Sequence, residues 1–271
     1  MILFPNCKIN LGLHIVRKRT DGFHDLETVF YPIKICDALE IIEVKESEET
    51  FLTTSGFDID GNAEENICLK AYHLLKKDFN VPSIKIHLHK VIPIGAGLGG
   101  GSADGAFTLL LLNKKFNLNI SEEKLMEYAL RLGSDCPFFI KNKICYATQR
   151  GEILEEINHD LSNYKIVLIN PGIKINTGWA FSQIHPKENG TSLLEIIQQP
   201  IDCWKNNLVN DFERPIFEQH IAIKEIKEQL YKAGAVYASM SGTGSSVYGL
   251  FEKTTTPVLN FPTTYFAQWA T

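Results

Sequence analysis

The chain of 271 residues is 44% hydrophobic and 22% charged, the balance of a soluble protein able to bury a core and to form two domains of ordinary size. A net charge of −5 and an isoelectric point near 5.9 exclude a global positive field that would recruit nucleic acid or an anionic membrane, so a bound anion must be held by local groups. The cysteines (Cys7, Cys36, Cys68, Cys136, Cys145, Cys203) show no CxxC pair and no Cys/His zinc spacing, which speaks for reduced thiols in a cytoplasmic protein.

The opening "MILFPNCKIN" lacks the basic and long apolar regions of a signal peptide, and the longest aliphatic run, Leu109–Leu112, is too short to span a bilayer. In "CKINLGLHIV", Cys7, Ile9, Leu11, Leu13 and Ile15 fall on one face and Lys8, Asn10, Gly12 and His14 on the other. This period of two predicts a strand with one buried face. Asp21-Gly22 marks a turn, and "LETVFYPIKI" returns as a second strand. "ALEIIEV" and "IKIHLHKV" read as further strands. His87 and His89 alternate on the latter without a third metal ligand and are expected at the surface. "ENICLKAYHLLKKDF" has helical spacing with Asn66 as its N-cap. A glycine-rich run follows, and "SADGAFTLLLLNKKF" is expected to be a buried helix capped by Ser102. "SEEKLMEYALRLG" opens on Ser121 and closes on Gly133.

The second half restarts the pattern. "YKIVLINPG" is a buried strand, "NTGWAFSQI" is helical from Thr177, and "IAIKEIKEQLYKAG" is an amphipathic helix ending at Gly234. "AVYASMSGTGSSVYGLF" gives two strands around a second glycine-serine loop, and the final "TTTPVLNFPTTYFAQWAT" is apolar but irregular. Mixed strands and helices in both halves predict an α+β protein with a boundary near residues 155–162.

The run Pro93-Ile94-Gly95-Ala96-Gly97-Leu98-Gly99-Gly100-Gly101-Ser102-Ala103 carries a GxGxxG match. A dinucleotide fingerprint would place an acid at the end of a strand about 20 residues on, but Glu122 and Glu123 start a helix. A Walker A loop would end in Gly-Lys-Ser/Thr, and there is no lysine here. What remains is a strand, a glycine loop and a helix start, which bind an anion through backbone N–H groups and the helix dipole. The competing reading is a tight turn packing the helix on the sheet, for which two or three glycines suffice.

"PIGAGLGGGSAD" resembles the second motif of the GHMP kinases, "FPNCKINLGLHI" their first and "SMSGTGSSVYGLF" their third. The similarity covers nearly the whole chain. It implies a ribosomal-protein-S5-like domain over residues 1–158, a ferredoxin-like domain over 159–271, ATP as phosphate donor and Mg²⁺ between the phosphates. Asp135 in "LGSDCPFF" matches the family's catalytic aspartate, although the residues alone favour a helix N-cap. Lys8 matches the lysine beside it, where an ammonium keeps the carboxylate ionised and stabilises a forming alkoxide; read from the strand alone it is a solvated charge.

"RTDGFHDLETVF" is similar to members whose acceptor is a cytidine diphosphate ester of methylerythritol, a small-molecule partner. The resemblance then implies cytosine held between Phe23 and Phe181, with His24 on its edge. Asn10 and Thr177 would meet the diphosphate or methylerythritol hydroxyls, Gly242 of the third motif would approach the substrate, and Asn66 and Lys90 the nucleotide. Thr177 reads equally as an N-cap, and Asn66 and Lys90 as a cap and a surface charge. Cys7 stands where the family commonly has alanine, and Phe23 where it has tyrosine. Neither nucleic acid nor a membrane is expected as a partner, and a monomer or weak homodimer is. The rival readings are a kinase for another small alcohol such as homoserine or mevalonate, a silent nucleotide sensor, and a dinucleotide oxidoreductase.

Overall fold

A computed structural model describes residues 1–45, 49–186 and 191–270. The strands in chain order are β1 (Ile2–Leu3), β2 (Asn6–Lys18), β3 (His24–Cys36), β4 (Ala38–Glu43), β5 (Phe51–Gly56) and β6 (Ile84–Lys90), then β7 (Cys145–Gln149), β8 (Ile153–Glu156), β9 (Tyr164–Asn170), β10 (Tyr237–Met240), β11 (Val247–Glu252) and β12 (Phe266–Ala270). The helices are α1 (Ile67–Lys76), α2 (Gly100–Lys115), α3 (Glu122–Leu132), α4 (Cys136–Lys141) and α5 (Thr177–Ser182), then α6 (Leu193–Ile197), α7 (Trp204–Asn207), α8 (Glu213–Gln219) and α9 (Ile221–Lys232). The class is α+β. Among the described residues no helix is long and apolar enough to cross a membrane.

Two compact units interleave along the chain. One comprises Met1–Cys7, Ile35–Ile94 and Gly99–Lys143, the other Lys8–Lys34, Gly95–Leu98 and Ile144 onward. A single cut after residue 158 does not trace them, because β3 pairs with β7 (Leu26 opposite Gln149, Phe30 opposite Cys145) and draws the β2–β3 hairpin into the second unit.

The first unit holds a sheet of order β1-β4-β6-β5, with β5 parallel to β6 and the other pairs antiparallel. Strand β6 alternates cleanly. Ile84, Ile86, Leu88 and Lys90 point inward, and His87 and His89 point to solvent, where they share hydrogen bonds with Thr53 and Ser55. Both capped helices form as the sequence predicts. Asn66 accepts from the Cys68 N–H at the head of α1, and Ser121 caps α3, which ends on Gly133.

The second unit holds two sheets, of orders β2-β3-β7-β8 and β10-β11-β9-β12. The expectation for β2 needs correcting, because every residue from Asn6 to Ile15 is buried and there is no solvated face. Leu13 and Ile15 enter a core with Val167, Ile169, Phe212 and Ile223. On the opposite face, a Cβ at Gly12 would come within 2.8 Å of Leu193 and Leu208. The apolar tail also finds a place, since Phe266–Ala270 pairs with β9 from Asn170 to Ile166. Helix α5 begins at Thr177, but its cap is Asn176, whose side chain accepts from the Trp179 N–H.

Candidate active site

Burying both faces of β2 puts an ammonium inside the second unit, where it must be hydrogen-bonded. Lys8, 3% exposed, donates to Asn10 Oδ1 at 2.6 Å and to the Gly97 carbonyl at 3.5 Å, and its Nζ lies 4.7 Å from the centroid of the Phe30 ring. Asn10 Nδ2 donates to Thr28 Oγ1 at 2.9 Å, and Thr28 donates to the Gly12 carbonyl. The main chain of Asn10 is held as well, its N–H by Ser241 Oγ and its carbonyl by the Tyr248 hydroxyl. Asn10 is therefore held by its main chain and side chain and fixes Lys8 in turn. Ser241 and Tyr248 come from the third glycine-rich motif, while Thr28 and Phe30 are members of this cluster that the sequence did not mark. Thr28 and Phe30 were detectable in principle, being two positions apart on the strand paired with β2.

The two glycine motifs meet within this unit. Ser241 donates to the Gly97 carbonyl at 2.8 Å, Ser246 N–H donates to Ala96, and Lys8 N–H donates to Leu98. Gly97 has φ of +77°, and a Cβ there would lie 2.0 Å from the Ser241 carbonyl oxygen. Gly242 sits against Gly97 in turn, at 3.0 Å by the same measure. Close packing thus accounts for these two glycines without a ligand, a point in favour of the tight-turn reading there. Ala96 and Leu98 are buried, whereas Gly95 and Ile94 are exposed.

The aromatic residues are arranged differently from the expectation. The ring stacked on Phe181 is His24, at 5.0 Å between centroids and 26° between planes, and Phe181 meets Phe212 edge-on at 4.8 Å. Phe23 is 54% exposed, with the Arg150 guanidinium 5.0 Å from its centroid, a contact not foreseen from the sequence. The turn that presents Phe23 and His24 is shaped by Asp21, which accepts from the Phe23 N–H and pairs with Arg19. Partial burial and the charge of Lys18 lower the pKa of His24, so the ring is neutral at pH 7. Thr177 is exposed at the first position of α5 and is not its cap.

The first unit by itself holds a helix start and a carboxylate. The cap of α2 is Gly99, in the left-handed region at φ +70°, so Ser102 lies inside the first turn and does not cap it as expected. The Ala103 N–H bonds the Gly99 carbonyl, which leaves the Gly100, Gly101 and Ser102 N–H groups without helical acceptors. A Cβ at Gly101 would meet nothing within 4 Å, so packing does not explain that glycine. Pro93 is buried beneath the run, and Ala103 is buried within α2. Ser102 lies within hydrogen-bonding reach of Cys136, whose thiol burial pushes up to about 12. The first turn of α2 and the start of α4 are thereby brought together. Asp135 occupies the N-cap position of α4, half-buried, but makes no capping hydrogen bond, so capping does not account for its carboxylate.

Lys90 is not available to a nucleotide. It is 3% exposed and ion-paired with Asp37 and Asp104, which corrects both the nucleotide and the surface readings. The Asn66 side chain is committed to capping α1. Among the described residues no three His, Cys, Asp or Glu side chains converge as a metal cage. A hard cation bridging phosphates keeps much of its water shell, so Mg²⁺ fits this protein only as a companion of the nucleotide.

The "GHMP kinases N terminal domain" matches residues 66–143, and "GHMP kinases C terminal" matches residues 195–258. The 4-diphosphocytidyl-2-C-methyl-D-erythritol kinase of Bacteroides fragilis is 54% identical over 252 residues, covering 93% of this chain and 92% of that one. The chain belongs to the GHMP kinases. It is a kinase that transfers phosphate to an alcohol. The enzyme of the same name from Azobacteroides pseudotrichonymphae is 52% identical over 96% of this kinase and 97% of its own length. A crystal structure of 4-(cytidine 5'-diphospho)-2C-methyl-D-erythritol kinase superposes with a TM-score of 0.78 at 30% identity, over 92% of this kinase and 90% of that chain.

Proposed function

We propose that this kinase transfers the γ-phosphate of ATP to the 2-hydroxyl of 4-diphosphocytidyl-2-C-methyl-D-erythritol, a step in non-mevalonate isoprenoid synthesis. The observation that carries the proposal is the 54% identity, sustained over 93% of the chain, to an enzyme named for that substrate. Phosphoryl transfer asks little covalent chemistry of a protein; it asks for alignment and for charge where charge develops.

Each residue then has a role. The amides of Gly100, Gly101 and Ser102 at the positive end of α2 bind triphosphate oxygens, with Mg²⁺ arriving on the nucleotide. Asp135 orients the acceptor hydroxyl and takes its proton. Lys8, held by Asn10 and the Gly97 carbonyl, stabilises the oxygen as it loses that proton. Cytosine stacks on Phe23 and on Phe181, a gain of about 1–3 kcal/mol per ring. To admit the base, His24 leaves the face of Phe181 and turns to the base edge, where a neutral imidazole can both donate and accept. Arg150 supports the far side of Phe23.

The test is ADP release with the cytidine diphosphate substrate and with its uridine counterpart. Strong preference for cytidine is expected. Equal rates would remove the cytosine pocket and spare the kinase, and turnover with homoserine or mevalonate alone would replace the substrate assignment.

A further inference from the structure

Beneath the amino end of α2 lies a cluster of charge that the reaction does not use. Lys90, last on the inward row of β6, donates to Asp37 Oδ2 and, at 2.7 Å, to Asp104 Oδ2. None of the three side chains is more than 3% exposed. The second oxygen of Asp37 accepts from the Val91 and Ile92 N–H groups at 2.6 and 2.9 Å. The second oxygen of Asp104 accepts from no donor. Gly100, the first residue of α2, lies over the cluster. A Cβ at that position would come 2.9 Å from Ile92 Cγ2 and 3.5 Å from Lys90 Nζ.

One ammonium thus faces two carboxylates in a place closed to water. The surplus negative charge is unfavourable there unless a proton removes it. The groups that face Asp104 are Lys90 from β6, Asp37 from the β3–β4 junction and Cys68 from α1, whose buried thiol is raised and stays neutral. Thr108 of α2 itself bonds the Asp104 carbonyl.

We propose that Asp37, Lys90 and Asp104 are positioning residues for the nucleotide: they clamp the first turn of α2 to the end of β6, and a proton on Asp104 keeps the cluster neutral beneath a bound triphosphate. The inference rests on the reading of Gly100–Ser102 as the phosphate site. Burial raises Asp104 to about 7, with the charge of Asp37 adding to the rise and Lys90 opposing it. As pH climbs past that value a net negative charge forms under the turn, and affinity for the anionic MgATP falls.

The experiment measures KM for MgATP and kcat of the full-length kinase between about pH 6 and about pH 9, for wild type and Asp104→Asn. The nucleotide's own titration is common to both. The wild-type KM is expected to rise about three- to tenfold more than that of Asp104→Asn across the range, with parallel kcat profiles. Coincident KM profiles in the two proteins would overturn the proposal while leaving the phosphate site intact. Failure of the wild type to saturate with ATP would remove that site and the proposal with it. Lys90→Met supplies a second arm, in which KM for ATP is expected to rise more than kcat falls. A fall in kcat alone, in protein that melts cooperatively, would count against a positioning role.

Discussion

At the scale of single residues, the proposed chemistry depends on one ammonium and one carboxylate that the structure treats differently. Lys8 is buried and its side chain is fixed by Asn10, while Asp135 stands at a helix start without capping it. Replacing Asp135 with Asn keeps the shape and removes the proton acceptor, so kcat is expected to fall about 10²- to 10⁴-fold with ATP binding retained; steady-state kinetics and nucleotide titration check both halves. Lys8→Met leaves Asn10 Oδ1 short of a donor at a cost of about 1 kcal/mol, yet removes a desolvated charge, so the variant is expected to fold and to lose at least about 10²-fold in kcat. Retention of activity in Lys8→Met would show that the ammonium is structural.

At the scale of elements, the glycine run divides into glycines that packing requires, such as Gly97, and glycines that it does not, Gly95 and Gly101, of which Gly95 still has a positive φ of +64°. Gly97→Ala places a Cβ 2.0 Å from the Ser241 carbonyl at a φ of +77°, so the loop must shift, and a loss of at least about 2 kcal/mol is expected in denaturant unfolding. Gly101→Ala is helical and meets nothing, so stability should hold or rise by up to about 1 kcal/mol. On the proposed phosphate site the added methyl group stands in the way of the ligand, so KM for ATP is expected to increase. An unchanged KM in Gly101→Ala would argue that the turn binds no phosphate. This division was only half legible in the sequence, which marks glycines but not what lies opposite them. Local signals carried α1 and α3 through their caps and spacing, and α9 through its spacing alone. The alternation of Ile84, Ile86, Leu88 and Lys90 already pointed Lys90 inward, but its acidic partners lie 53 and 14 residues away in sequence. Strand β12 and the buried polar face of β2 exist because of distant partners, and so does the exchange of His24 for Phe23 on Phe181. No local pattern encodes these.

At the scale of the whole molecule, buried titratable groups pull stability in opposite directions with pH. Burial lowers His14 and His159, and partial burial with Lys18 lowers His24. A histidine held below its unfolded value of 6.5 adds stability above that value and loses it as pH falls through the folded one. Asp104, raised from 3.8 to about 7, behaves in the reverse sense: its contribution is complete below the unfolded value and is gone once pH has risen through the folded one. Acidification from about pH 8 to about pH 5 therefore removes the histidine contributions while restoring that of Asp104. The melting temperature of wild type is expected to decline less over that interval than that of Asp104→Asn, in which only the histidine loss remains. The separation should be a few degrees, at about 2–4 °C per kcal/mol for a chain of this size. Calorimetry of the two proteins in parallel decides the matter. If their melting curves shift by the same amount at every pH, Asp104 is ionised throughout and Lys90 alone balances the buried charge.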